Sequence, residues 1–306
     1  MTEYNYDLLV IGSGPGGQSA ALQAASLGKR VGLIERKPYL GGVSLQTGTI
    51  PSKALREAAY LASRFSSRGM RNTVHIRDQQ HSGFLSEAIG RKQAVIDRHE
   101  RLLLNQLMSH GVTLLPGEAG FIDAHTLNLR NSSGEAMQLS AAVIVLATGS
   151  RPRRPADVPF DRERVLDSTS ILQMRRLPQR LTIIGGGVIA CEFATIFAPL
   201  GVAVSLVDSH DHLLAYLDED IQQTLEHDLL DMGVQLHMKT RIKQIERQGE
   251  RVQLKTDSGV NLETDVVLYA LGREPNYDSL ELAAAGIDAD DHGWVRINEH
   301  HQTSRG

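Results

Sequence analysis

Two stretches of this chain repeat one order of elements, and that order restricts the fold more than any other feature of the sequence. The apolar run 6–11 leads into Gly12-Ser13-Gly14-Pro15-Gly16-Gly17, an alanine-rich segment to about Leu27, and a second apolar run from Val31 to Glu35. The run 181–184 leads into Gly185-Gly186-Gly187-Val188-Ile189-Ala190, a segment to about Leu200, and a run from Val202 to Asp208. From first glycine to terminal acid the spacing is 23 residues in both. Strand, glycine turn, helix and strand make a unit whose two strands lie parallel, so each copy predicts a parallel sheet covered by helix.

The segments after each unit also match. Short apolar runs with the turn signals Ser132-Ser133-Gly134 and Asp257-Ser258-Gly259 predict a small antiparallel meander in each half. Each half closes on a buried strand ending in glycine, 143–149 and 266–272. Polar helices are predicted from near Lys53 and from about Glu87 to His110, the latter stopped by Gly111, and 151–159 reads as a Pro- and Arg-rich linker. The 306 residues suffice for about two domains. The expected fold is α/β, with two Rossmann-like dinucleotide-binding domains at 1–154 and 155–275, each with its meander. The segment 276–306 is expected to return to the first domain.

Composition narrows the classes of function. One cysteine, Cys191, excludes an intrachain disulfide and any multi-thiolate metal site built from this chain alone, which fits a reducing compartment and makes the cytoplasm the default. A net charge of -4 disfavours nucleic acid as a partner. No apolar stretch approaches membrane-spanning length, and the opening residues read as a first strand rather than a leader.

In such a unit the first glycine permits the tight turn, and the second lets the backbone approach a pyrophosphate at the positive end of the helix. The third position, glycine or alanine, lets helix and strand pack closely. Gly12, Gly14 and Gly17 fill these roles first, and Gly185, Gly187 and Ala190 second. Glu35 and Asp208 stand where an acid accepts hydrogen bonds from an adenosine ribose. A carboxylate at Asp208, with no arginine beside it, points to NAD(H). The neighbouring His210, Asp211 and His212 read as solvated rather than as metal ligands, and no metal is expected. Cys191 reads as a buried small residue, and Asp218 as a helix start.

The segment Gly41-Gly42-Val43-Ser44-Leu45-Gln46-Thr47-Gly48-Thr49-Ile50-Pro51-Ser52-Lys53, with the ATGSRP run at 147–152 and the two-unit order, resembles the pyridine nucleotide-disulfide oxidoreductases over nearly all of the chain. The resemblance implies FAD in the first unit and NAD(P) in the second. It places Ser44 and Thr49 at the family's two redox cysteines, so no dithiol relay is available. Within the family, threonine before IPSK is most similar to the soluble transhydrogenases. That likeness implies NADP(H) as well as NAD(H) as substrates, with ping-pong hydride transfer from NADPH through flavin N5 to NAD+. Lys53 is implied near the flavin, paired with Glu192. The implied cofactor contacts are Gly12, Gly14, Gly16, Gly17, Glu35, Arg36, Gly41, Gly42, Ser44, Thr49, Lys53, Ala147, Thr148 and Gly149 in the FAD half. In the nicotinamide half they are Gly185, Gly187, Val188, Ile189, Glu192, Asp208, Gly272 and Arg273.

Full-length members continue past a strand matched here by residues 294–302 into another FAD-contacting segment and a dimerisation domain. The expectation is therefore of a C-terminally shortened chain, with a homo-oligomer only for its longer parent. Two rival readings share the scaffold: an NAD(P)H diaphorase or quinone reductase, and a noncatalytic dinucleotide-binding module.

Overall fold

A computed structural model describes residues 4–67, 79–291 and 293–305. Strands and helices alternate from the start: β1 (Tyr6–Ile11), α1 (Pro15–Ser26), β2 (Val31–Glu35), α2 (Gly42–Gln46), α3 (Thr49–Ser67) and α4 (Gln79–Ser109). Five strands follow, β3 (Thr113–Pro116), β4 (Glu118–Phe121), β5 (Thr126–Arg130), β6 (Ala136–Leu146) and β7 (Ser150–Pro152). The order resumes with β8 (Val165–Asp167), β9 (Arg180–Ile184), α5 (Val188–Phe197), β10 (Ala203–Val207), α6 (Glu219–Asp231) and β11 (Gln235–His237). Last come β12 (Ile242–Gln248), β13 (Arg251–Thr256), β14 (Asn261–Thr264), β15 (Val266–Tyr269) and β16 (Arg273–Pro275).

The chain is α/β and divides into two compact units, each with a sheet of Rossmann-like character. The first takes Met1–Gln46, Ile96–Arg151 and Arg273–Gly306; the second takes Thr47–Val95 and Pro152–Gly272. The stretch Thr47–Val95, which the sequence reading drew with the first domain, thus groups with the second unit.

In the first unit six strands lie in the order β3-β2-β1-β6-β5-β4. β1 pairs in parallel with β2 and β6, and β2 with β3, while β6, β5 and β4 run antiparallel. β6 is eleven residues long: its first half closes the meander and its second half is the buried closing strand. The expected separate meander is therefore continuous with the parallel sheet. One apolar cluster joins Leu8, Val10, Ala21, Val31 and Leu33 to Leu103 and Leu107 of α4. A second joins Leu9, Ile11, Phe121 and Leu127 to Leu280, Leu282 and Ile287, so the last segment packs on the meander.

The second unit has a five-stranded parallel sheet in the order β11-β10-β9-β15-β8 and a separate antiparallel meander, β12-β13-β14. α5 is apolar nearly all round, with Ala190, Cys191, Phe193, Ala194, Ile196 and Phe197 buried, as expected of a helix covered on both sides. One covering helix is α3, whose Leu55, Ala58 and Ala59 recur at helical spacing and join the same core.

Two boundaries differ from the sequence reading. α4 begins at Gln79, before Glu87. Residues 294–302 form no strand: an isolated bridge links Ala289 to Val295, and Asn298 Oδ1 accepts the amides of His300 and Gln302, turning the chain. Among the described residues no helix is long and apolar enough to cross a membrane.

Candidate functional site

The first unit gathers its candidate residues at the C-terminal ends of β1, β2 and β6, where a doubly wound sheet holds ligands. Gly12 leaves β1 at φ +109, a conformation that strains other residues, and its missing Cβ leaves room for the carbonyl of Ala147. Gly17 is buried against the Gly12 carbonyl, which holds α1 close to the strand. Among the described residues, a Cβ on Gly14 or Gly16 would meet nothing within 4 Å, so the turn is open on its outer side. Gly42 packs on it so closely that a Cβ there would fall 2.8 Å from Gly14 Cα. The first turn of α1 has no side-chain cap, so its amides point to whatever occupies the turn.

Glu35 is held in place by this turn. Its Oε2 accepts from Ser13 N–H at 3.1 Å and Ser13 Oγ at 2.6 Å, and its Oε1 from the Lys37 amide at 2.9 Å. Ser13 Oγ also accepts from the Gly41 amide at 3.1 Å, so one buried hydroxyl joins the glycine turn, the ribose-position acid and the Gly41-Gly42 turn. Arg36 is exposed and reaches Glu118 at 3.5 Å. Ser44 lies in α2, partly buried. At the end of β6, Thr148 and Gly149 receive Asn276: Asn276 N donates to Gly149 O at 3.0 Å, and its Nδ2 to Thr148 O at 3.3 Å. Among the described residues, Asn276 Oδ1 is buried with no partner. Arg273 donates to Ser150 Oγ at 2.8 Å and Ser150 O at 2.6 Å, and Arg151 Nε to Glu274 at 2.6 Å. These residues fit a flavin dinucleotide: an open glycine cradle with uncapped helix amides suits a pyrophosphate, a fixed acid suits a ribose, and a buried orphan acceptor awaits a donor.

The second unit repeats the plan. Gly185 turns at φ +120 with its missing Cβ against Ala270 O, and Gly187 caps α5 with no side-chain partner and open space around it. Val188 and Ile189 open the helix, with Val188 exposed, and Ala190 is fully buried where a third glycine would stand. Gly272, at φ +91, is exposed after β15. Asp208 is 5% exposed and lies against Gly186. Its Oδ1 accepts from His210 N at 2.8 Å and from the His210 ring Nδ1 at 2.6 Å. His210, Asp211 and His212 turn to three different carboxyl or ammonium partners, Asp208, Lys239 and Glu226. Cys191 is buried beside Gly186 O, and burial pushes its thiol up to about 11, out of nucleophilic range.

Also in the second unit, Lys53 Nζ donates to Glu192 Oε1 at 2.7 Å, and the buried Ser52 Oγ to the same oxygen at 3.1 Å. Lys53 is 60% exposed and Glu192 18%. α3 supplies Lys53 one turn in from Thr49, with Pro51 in the first turn where its missing amide costs nothing. α5 supplies Glu192. Neither Ser13 nor Asn276 was singled out from the sequence. Ser13 sits inside a fingerprint whose glycines draw the attention, and Asn276 follows the Gly272-Arg273-Glu274-Pro275 run without a local pattern of its own.

The family model for pyridine nucleotide-disulphide oxidoreductases matches residues 6–306. The chain belongs to this family. It is 40% identical over 302 residues to the soluble pyridine nucleotide transhydrogenase of Vibrio atlanticus, covering 98% of this chain and 64% of that relative. Among solved structures it resembles LpdA from Mycobacterium tuberculosis, with a TM-score of 0.87 and 27% identity over 97% of this chain and 65% of that one. It also resembles the HOCl-induced flavoprotein disulfide reductase RclA from Escherichia coli, with a TM-score of 0.84 and 28% identity over 98% and 64%. The chain thus spans 64% of the length of the curated relative described here.

Proposed function

We propose that this chain is the two-cofactor portion of a soluble pyridine nucleotide transhydrogenase, with net reaction NADPH + NAD+ → NADP+ + NADH. The observation that carries the reading is the pairing of two nucleotide turns with the loss of both redox cysteines. Ser44 and Thr49 stand at those positions, and the one thiol in the chain, Cys191, is buried and pushed up to about 11. A family scaffold without a dithiol has only nucleotide-to-nucleotide exchange, or an external acceptor, left to it.

FAD would be held by the first unit, Met1–Gln46, Ile96–Arg151 and Arg273–Gly306, through Gly12, Gly14, Gly16, Gly17, Glu35, Arg36, Gly41, Gly42, Ala147, Thr148 and Gly149. Bound there, it supplies a two-electron hydride acceptor and donor. The α1 amides bind the pyrophosphate, and Glu35, held by Ser13, accepts the ribose hydroxyls. The second unit, Thr47–Val95 with Pro152–Gly272, takes NAD(H) and NADP(H) in turn, with Gly185, Gly187, Val188 and Ile189 at the pyrophosphate and Asp208 at the ribose. By family likeness, Lys53 and Glu192 balance charge at the hydride-exchanging ring. The lone cysteine and the net charge of -4 favour a reducing compartment such as the cytoplasm, and small-molecule partners rather than nucleic acid.

Product analysis tests this against the diaphorase reading. Purified protein with FAD, NADPH and thio-NAD+ should yield thio-NADH stoichiometrically without added quinone. Oxidation of NADPH only when quinone is present would replace this reading with the diaphorase.

A further inference from the structure

The surroundings of Asp208 go beyond those of an acid that simply selects NAD(H). The geometry points to Lys239, with His210 as its positioning partner, as the group that admits the 2′-phosphate of NADP(H) beside Asp208. The inference rests on the second unit being the nicotinamide-dinucleotide domain.

A lone carboxylate at this position accepts the ribose hydroxyls of NAD(H) and repels the extra phosphate of NADP(H). Here it is not alone. Asp208 Oδ1 is taken by two donors from His210, the amide and ring Nδ1, which carries its hydrogen because its neighbour is a carboxylate. The carboxylate that faces Gly186 is therefore already compensated on one oxygen and keeps the other for a hydroxyl.

A cation is brought to the same turn from the neighbouring strand. Asp208 N donates to His237 O at 3.1 Å, Thr240 N to Asp208 O at 2.9 Å, and Lys239 N to His210 O at 3.0 Å. These three bonds bind the end of β11 to the turn after β10 and hold Lys239 at φ +53. Its ammonium rests 3.1 Å from Asp211 Oδ2, with the two side chains 70% and 64% exposed. A pair so exposed contributes little, so the ammonium is free to exchange one carboxylate for a more highly charged phosphate. One site then serves both nucleotides: Asp208 receives the 2′-hydroxyl of NAD(H), and Lys239 leaves Asp211 for the 2′-phosphate of NADP(H). A ping-pong transhydrogenase requires such a double reader, and Asp211 is the internal stand-in for the phosphate.

Calorimetric titration of the purified chain with adenosine 2′,5′-bisphosphate and with 5′-AMP tests this without flavin or turnover. Lys239→Asn, which keeps a residue suited to the left-handed backbone, should lower the ratio of bisphosphate to 5′-AMP affinity about tenfold, the worth of one charge-assisted contact. Asp211→Asn, which releases the ammonium, should raise the same ratio. Unchanged ratios in both variants, or a shift of the same sign in both, overturn the inference. Failure of the parent chain to bind 5′-AMP at all would instead remove the dinucleotide reading of this unit, and the inference with it.

Discussion

Ser13 and Glu35 are joined by two hydrogen bonds to one carboxylate oxygen, 2.6 Å from the hydroxyl and 3.1 Å from the amide. The acid at the ribose position is thereby fixed by the glycine turn before any nucleotide arrives, and Gly41 is tied to the same hydroxyl. Ser13→Ala removes the bridge and leaves the Gly41 amide and part of the carboxylate unpaired. We expect a loss of about 1–3 kcal/mol in urea unfolding, the usual cost of orphaning buried polar groups. FAD affinity should fall with it, measured by flavin fluorescence on titration.

The two inner glycines of the first turn should separate folding from binding. A methyl on Gly17 would collide with the Gly12 carbonyl, so Gly17→Ala should cost about 3 kcal/mol or more. A methyl on Gly14 meets nothing, and Gly14→Ala should cost about 1 kcal/mol, as a poorer helix cap. It should nonetheless abolish flavin retention, because the methyl stands where the pyrophosphate approaches. Thermal melts and the flavin content of the purified variants read the two effects separately.

Lys53 and Glu192 form a pair that is too exposed on the lysine side to stabilise the fold much. Lys53→Met and Glu192→Gln should therefore melt within about 1 kcal/mol of the parent. The rate of flavin reduction by NADPH should drop about tenfold, less than the hundredfold typical of a dry, preorganised site. Stopped-flow absorbance gives that rate directly.

Asp167 should govern part of the acid stability of the second unit. Burial alone would raise its carboxyl, but the Ser170 amide and hydroxyl and the Arg154 guanidinium, at 2.6 Å, outweigh it and hold the group below its ordinary value of 3.8. A depressed folded value means that the stabilisation is fully present above about pH 3.8 and is lost as pH falls through the folded value. Asp167→Asn should therefore flatten the acid limb of stability against pH while lowering stability near neutrality. Equilibrium unfolding between pH 3 and 7, on the order of the range that linkage spans, checks both signs.

The parts of this molecule that were legible in sequence are those whose physics is local. A glycine turn, the helix it opens and the acid 23 residues on are set by backbone conformation and chain length, so they were readable in both copies. Pairing over long separations was not. The eleven-residue β6 serves meander and parallel sheet at once, and no residue in it marks the handover. The strand that the family resemblance implied at 294–302 is replaced by a turn at Asn298, whose side chain accepts the amides of His300 and Gln302. Of the candidate site, the glycine turns and strand-end acids were legible as positions, but the contacts of Ser13, Asn276 and Lys239 were not, because they join chain segments brought together only by folding.

The most direct test is the visible spectrum of the purified protein supplied with FAD, taken anaerobically before and after NADPH and again after NAD+. The account predicts the visible band of an oxidised, protein-bound flavin that bleaches with NADPH and returns with NAD+. A chain that folds, retains no flavin and shows no such band would contradict it.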